Sequence, residues 1–215
     1  MKASVFTSII LCSVIFCSPA LSDTIYVDGD APGINSGANW HDAFNEVYDA
    51  LDVSQPGDNV LVAEGIYKPD TAGLINPREA SFAMKNGVMI EGGYAGYGKP
   101  DPDARDIELY ETILSGDIGV PGDGSDNCYH VFYHSDGFAL NGSAVVDGFT
   151  ITAGNANGTT VDGRRGGGMY NEEGNSPTIG NCIFTGNSAG EITSGKNRNF
   201  QPVNCDLCPI AATVF

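Results

Sequence analysis

Basic residues are scarce in this chain. Ten lysines and arginines stand against 27 aspartates and glutamates, giving a formal net charge of −17 at pH 7. So acidic a chain repels phosphate backbones and anionic lipid, which excludes nucleic acid as a partner and a charged bilayer as a docking surface. Polyuronate chains would be repelled too, unless calcium bridged the two. Long apolar runs are equally sparse. One lies at the start, Val5 to Phe16, and no later segment suits a membrane span. Helical periodicity is confined to one stretch. An EF-hand spacing and a nonapeptide glycine-aspartate repeat are both missing.

The early apolar run has the build of an export signal. Lys2 precedes it and Ala20-Leu21-Ser22 offers a small-x-small cleavage site before Asp23, so residues 1–22 are expected to be a signal peptide and the protein to be secreted, extracellular or at the cell surface. A lipoprotein anchor would need a small residue directly before Cys12 or Cys17, where Leu11 and Phe16 stand. Beyond the signal remain Cys128, Cys182, Cys205 and Cys208. Export permits disulfides among them, with the pairing open; Cys182 sits at an inward strand position that suits a buried thiol. Cys205-Asp206-Leu207-Cys208 has the spacing of a redox or half-zinc motif, but no second pair accompanies it. Local pairing or chance spacing is the expectation.

From Asp23 to about residue 190 the chain reads as short strands and glycine-rich turns. Thr24 to Asp28 is the first strand. Trp40, Ala43, Phe44, Val47, Tyr48 and Leu51 recur at helical spacing, with Asn39 as cap and Pro56-Gly57 as stop, predicting a helix over about 40–54. Runs at 59–63, 65–68, 80–84, 88–91, 112–115, 129–133 and 144–146 continue the strand series without intervening helices, which argues against a doubly wound α/β fold. Two later segments share a rhythm: Phe149-Thr150-Ile151-Thr152-Ala153-Gly154-Asn155 and Ile183-Phe184-Thr185-Gly186-Asn187, with Gly166-Gly167-Gly168-Met169 between them. Self-similarity at this spacing is the mark of a solenoid, in which each coil is completed by its neighbour. The expected fold is therefore all-β, a parallel β-helix whose open N-terminal edge is covered by the helix. Residues 191–215 drop the rhythm and are expected to form an irregular tail.

Ile25-Tyr26-Val27-Asp28, the Trp40 helix, the run from Gly57 to Tyr67, Ile90-Glu91-Gly92-Gly93-Tyr94 and Asp147-Gly148-Phe149-Thr150-Ile151 resemble secreted right-handed parallel β-helix proteins of the pectin-lyase-like superfamily. Phe184-Thr185-Gly186-Asn187 and Gly166-Gly167-Gly168-Met169 are similar to the paired Phe-x-x-Asn and Gly-Gly-Ala-aliphatic repeats of chlamydial-type polymorphic outer membrane proteins, with Gly168 in place of alanine. The resemblance covers roughly Asp23 to Ala189. It implies a right-handed coil and specifies fold better than activity. Members usually run longer, so the chain is expected to be an N-terminal cap with the first few coils, truncated at its C-terminal end.

Two function classes follow. The first is non-catalytic: adhesion, scaffold or carbohydrate recognition, with a polysaccharide or cell-surface glycan as partner. Tyr94, Tyr97 and Tyr110, in a long excursion from Gly92 to Tyr110, are the candidates for stacking on sugar rings. The alternative is a calcium-assisted polysaccharide lyase or a glycosidase. A lyase needs a base and a metal that acidifies the proton beside a uronate carboxylate; Arg164 and Arg165 with Asp147 and Asp162 are its candidates, although the arginine-centred motifs of pectate lyases are not visible. Asp117, Asp123, Asp126 and Asn127, in an acidic glycine-rich loop, offer hard oxygens of the type calcium accepts. His41, His130 and His134 lack metal-binding spacing, but His130 and His134 would share a face if 130–134 were one strand.

Overall fold

The computed structural model describes residues 22–160 and 162–190. The 191–215 tail, nearly all of the expected signal segment, and Cys12, Cys17, Cys205 and Cys208 lie outside the described residues. Among the described residues, the strands pair into parallel sheets and one α-helix is present. Its elements are β1 (Thr24–Val27), α1 (Val47–Val53), β2 (Asn59–Ala63), β3 (Gly65–Tyr67), β4 (Met89–Tyr94), β5 (Thr112–Ser115), β6 (Phe132–His134), β7 (Val145–Asp147), β8 (Thr150–Thr152), β9 (Asn155–Ala156), β10 (Met169–Asn171), β11 (Thr178–Gly180), β12 (Ile183–Thr185) and β13 (Ser188–Ala189).

These strands form four separate sheets, none closed on itself, in the orders β1-β2-β4-β7-β11, β12-β8-β5-β3, β10-β6 and β13-β9. Every strand pair is parallel. The antiparallel contact among the described residues is an isolated bridge between Tyr94 and Arg105, where the long excursion folds back on β4. From β7 the chain visits the second, fourth and third sheets in turn before β11 returns it to the first. The spacing of this return is regular: Thr178 pairs with Val145, Ile183 with Thr150 and Ser188 with Asn155, all at the same offset. The two Gly-Asn pairs are therefore not equivalent, because Asn187 stacks on Gly154 and not on Asn155.

Parallel pairing in register puts like residues above one another. Ile25, Val60, Ile90, Val146 and Ile179 form one inward ladder, and Tyr67, Leu114, Ile151 and Phe184 a second. Val60, Ile90, Val146, Leu114 and Ile151 are fully buried, each contributing roughly 1.5–3 kcal/mol of transfer free energy. Between the first and second sheets the backbone turns through Gly148 at φ +80°, and one coil on through Asn181 at φ +47°. Glycine and asparagine are the residues that enter this left-handed region most readily.

The helix is shorter than its periodicity predicts. It starts at Val47, not near residue 40. Asn39 closes a loop instead, its Oδ1 accepting from the backbone N–H of His41 and Asp42. Phe44 then runs beside β1, donating its N–H to Tyr26 O at 2.9 Å while Asp28 N–H donates to Phe44 O at 2.8 Å. Phe44 thus serves an extended edge, Trp40 packs from a bend onto Tyr26 and Tyr94, and the residues buried from the helix are Val47, Ala50 and Leu51. Similarly, 80–84 reduces to a single bridge from Phe82 to Phe132, and Asn86-Gly87 turns the chain without making an antiparallel hairpin.

The repeat segments meet each other. A Cβ at Gly168 would fall 2.8 Å from Phe184 Cδ1 and 2.9 Å from Asn187 Nδ2. A side chain at this position would therefore press on two side chains of the later coil. Asn187 closes the contact by donating Nδ2–H to Ile151 O at 2.8 Å and accepting Gly154 N–H at 2.9 Å.

Candidate functional site

Pairing of β6 with β10 sets Tyr133 beside Tyr170 and His134 beside Asn171. Alternation along β6 buries Phe132 and His134 and turns Tyr133 outward. The Tyr133 and Tyr170 rings stack with centroids 5.7 Å apart and planes 18° apart. His130 adds a third ring, 5.4 Å from each tyrosine, and Arg78 lies 4.3 Å over Tyr129 at the border of the group. Each stacked tyrosine carries its hydroxyl to a carboxylate. Tyr133 Oη donates to Glu172 Oε1, and Tyr170 Oη donates to Asp162 Oδ1 at 3.0 Å. Arg165 donates to Tyr170 Oη at 3.1 Å and lies 3.8 Å from Asp162. The result is an aromatic patch rimmed by two carboxylates and a guanidinium.

Its electrostatics favour accepting and donating hydrogen bonds over moving protons. The Tyr133 hydroxyl holds the Glu172 carboxyl below the usual carboxylate range, and Asp136 N–H adds to this. Ionised Glu172 is an acceptor for hydroxyl donors. The same bond raises the Tyr133 phenol, and burial raises that of Tyr170, so both keep their protons at neutral pH. Burial lowers His130, whose Nδ1 faces Gly166 O at 3.1 Å; that carbonyl requires the proton on Nδ1.

His130 and His134 do not share a face, because β6 begins only at Phe132. His134 lies inside. Its Nε2 accepts Met84 N–H at 3.0 Å and its Nδ1 donates to Asn171 Oδ1 at 2.6 Å, which fixes the neutral tautomer. Burial lowers its pKa below 6.5. In the unfolded chain the ring titrates normally, so between the two values the unfolded state binds more protons. Stability is therefore full above about pH 6.5 and declines as pH falls towards the folded-state value, by at most about 1.4 kcal/mol per pH unit for one group. Urea midpoints at pH 7.5 and 5.5 check this: the wild type should lose more on acidification than a His134→Asn variant. Equal losses would show that His134 does not contribute.

The other sequence-derived candidates are distributed as follows. Arg165 and Asp162 come together at the patch. Arg164 instead donates Nε–H to Gly158 O at 2.8 Å. Asp147 lies on the first sheet, where Arg105 and Asn181 hold its carboxylate and Arg105 also reaches Glu91 Oε1 at 3.4 Å. The four lyase candidates thus fall in two places. Tyr94 is half-buried between Trp40 and Arg105, with the Trp40 centroid at 5.8 Å. Tyr97 meets His41 edge-on at 5.5 Å, and Lys99 lies 5.9 Å over Tyr110, so the three tyrosines of the excursion make no common surface. In the acidic loop, Asp123 turns outward to cap Ser125 N–H at 2.9 Å, while Asp117 and Asp126 bind loop N–H groups. Among the described residues no three His, Cys, Asp or Glu side chains group closely enough to hold a metal.

Cys128 and Cys182 are not joined to each other. Burial pushes their thiols up to about 12 and about 11, so both are inert at neutral pH. Cys182 packs against the core, with Sγ 3.7 Å from Val146 O. No helix among the described residues is long and apolar enough to cross a membrane.

Tyr133, Tyr170, Glu172 and Arg78 escaped the sequence reading. Their signal was faint: Phe132-Tyr133-His134 and Met169-Tyr170-Asn171 lie 37 residues apart, not the 33 of the repeat that follows, because the earlier coil is longer between β6 and β7. No protein-family model, curated protein or solved structure matches the chain.

Proposed function

We propose that this protein is a secreted or cell-surface parallel β-helix that recognises carbohydrate without catalysis, through the Tyr133–Tyr170 patch. The helix reading rests on the rotation of the chain through four parallel sheets and on the two inward ladders. The pectin-lyase-like and repeat resemblance rests on the sequence motifs, with which the parallel stacking of the strands is compatible. Placement of α1 against β1, the edge strand of the first sheet, suits an N-terminal cap. The export reading is carried by the apolar segment after Lys2.

One observation carries the binding reading: two in-register tyrosines, each with its hydroxyl held by a carboxylate, and an arginine at the rim. Sugars present apolar C–H faces and many hydroxyls, and such a patch offers matched apolar edges, acceptors and donors. The stacked faces are turned to each other, so ring edges and the polar rim are what meet the ligand.

The test is a glycan array followed by titration of the best neutral and acidic hits. Tyr170→Ala and Tyr133→Ala should each weaken binding about 10-fold or more, with unchanged circular dichroism. Tyr97→Ala, outside the patch, should bind like wild type. Absence of glycan binding, or equal loss in Tyr97→Ala, overturns the reading. Incubation with polygalacturonate and calcium separates the alternative class: unsaturated product absorbing in the ultraviolet would identify a lyase.

A further inference from the structure

We propose that the loop 117–127 binds a calcium ion through side-chain oxygens of Asp117, Asp126 and Asn127, independently of the glycan patch. Among the described residues, the buried side-chain nitrogen and oxygen atoms left without a hydrogen-bond partner are Asp117 Oδ1, Asp126 Oδ1 and Asn127 Oδ1. All three lie in one loop, and all three are oxygens. Native proteins pair nearly all such atoms, because an unpaired buried acceptor loses its hydration with no return.

The rest of each side chain is held in place. Asp117 Oδ2 accepts Gly122 N–H at 3.0 Å and Asp126 Oδ2 accepts Val120 N–H at 2.7 Å, so the loop itself orients both carboxylates and leaves one oxygen of each unpaired. Asn127 is 7% exposed. Its Nδ2 donates to Ala153 O at 2.7 Å, which fixes the amide orientation, and the same nitrogen would be 4.0 Å from a Cβ at Gly124 in the loop. Its Oδ1 is left as a buried acceptor without a donor. None of the ion pairs among the described residues involves Asp117 or Asp126.

Acceptors without donors call for a cation. Two carboxylates and an amide oxygen, with no nitrogen or sulfur ligand, select a hard ion over zinc. The set includes two acidic ligands, fewer than a dense carboxylate centre, so backbone carbonyls and water would complete it. Calcium tolerates such mixed, flexible shells, whereas magnesium demands near-ideal octahedral geometry. The expected affinity is that of extracellular modules, about 10⁻⁴–10⁻³ M.

The experiment uses the full chain stripped with chelator and then dialysed. Calcium at 5 mM should raise Tm by about 3–6 °C and magnesium by much less, and calorimetric titration should show one saturable site. Asp117→Asn and Asp126→Asn should each weaken calcium at least 10-fold, with Asp123→Asn unchanged because that carboxylate faces outward. No saturable heat and no Tm change in the wild-type protein overturns the proposal even where a variant fails to fold. An undiminished calcium response in the Asp117→Asn/Asp126→Asn double variant, or loss in Asp123→Asn equal to theirs, overturns it as well.

Discussion

Gly154→Ala is expected to lower Tm by roughly 6–12 °C, the equivalent of about 3 kcal/mol or more in a chain of this size. Gly154 and Gly167 touch backbone to backbone. A Cβ at 154 would fall 1.9 Å from Gly167 O, and one at 167 would fall 2.2 Å from Ser188 O and 2.7 Å from Gly154 O. Neither residue has a positive φ, so the demand is for space and not for a left-handed backbone. Since the atoms in the way are main-chain carbonyls, no side-chain rotation can relieve the collision. The neighbouring bonds would suffer too: Gly154 N–H donates to Asn187 Oδ1, Ser188 N–H to Gly154 O at 2.8 Å and Val131 N–H to Gly167 O at 2.9 Å. Thermal unfolding followed by circular dichroism measures the effect. Gly174→Ala, where a Cβ meets nothing within 4 Å although φ is +92°, separates steric from torsional strain and should cost less. A Gly154→Ala protein as stable as wild type would show that the coils are not packed this closely.

Arg78→Ala is expected to cost about 3 kcal/mol of stability. Its guanidinium donates Nε–H to Asn127 O at 2.6 Å and Nη2–H to Asn155 O at 2.9 Å and Asn157 Oδ1 at 2.6 Å, while lying over Tyr129. One side chain therefore ties the segment before Phe82 to two later passes of the chain. Charge-assisted bonds of this kind are roughly twice as strong as neutral ones, and their removal strands the Asn127 carbonyl, while Asn155 O keeps the Asn157 N–H at 2.9 Å. Lysine keeps the charge but not the planar fork, so Arg78→Lys should recover less than half of the loss. Denaturant midpoints for the three proteins decide the matter. Equal stability of Arg78→Ala and wild type would mean that water replaces the guanidinium without penalty.

How much of this was legible beforehand varies with the range of the interaction. The strands at 59–63, 88–91, 112–115 and 144–152 announce themselves through Val, Ile and Leu at positions that stacked parallel pairing then buries. Helix boundaries were less readable. Phe44 has the same apolar character whether it belongs to a helical stripe or runs beside β1, and only its backbone bonds to Tyr26 and Asp28 distinguish the two. The acidic loop was visible by composition. Which of its oxygens would be left unpaired depends on hydrogen bonds between residues such as Asn127 and Ala153, 26 positions apart. The tyrosine patch was hidden for a related reason. Tyr133 and Tyr170 pair at an offset of 37 residues, as β5 and β8 do, whereas the pairs that β7, β8 and β9 make with the next coil keep 33. The earlier circuit carries four more residues between β6 and β7 than the later one has between β10 and β11.

Taken alone, the sequence determined local matters: the acidity, the β-rich character, the turn residues and the Phe184–Asn187 rhythm, all of which depend on a residue and its near neighbours. Only the tertiary structure decided which strand lies on which, that Arg165 and Asp162 join Tyr170 while Asp147 goes to Arg105, and that Gly154 meets Gly167. Parallel pairing joins residues a full circuit apart, and a few inserted residues anywhere in that circuit change every partner after it.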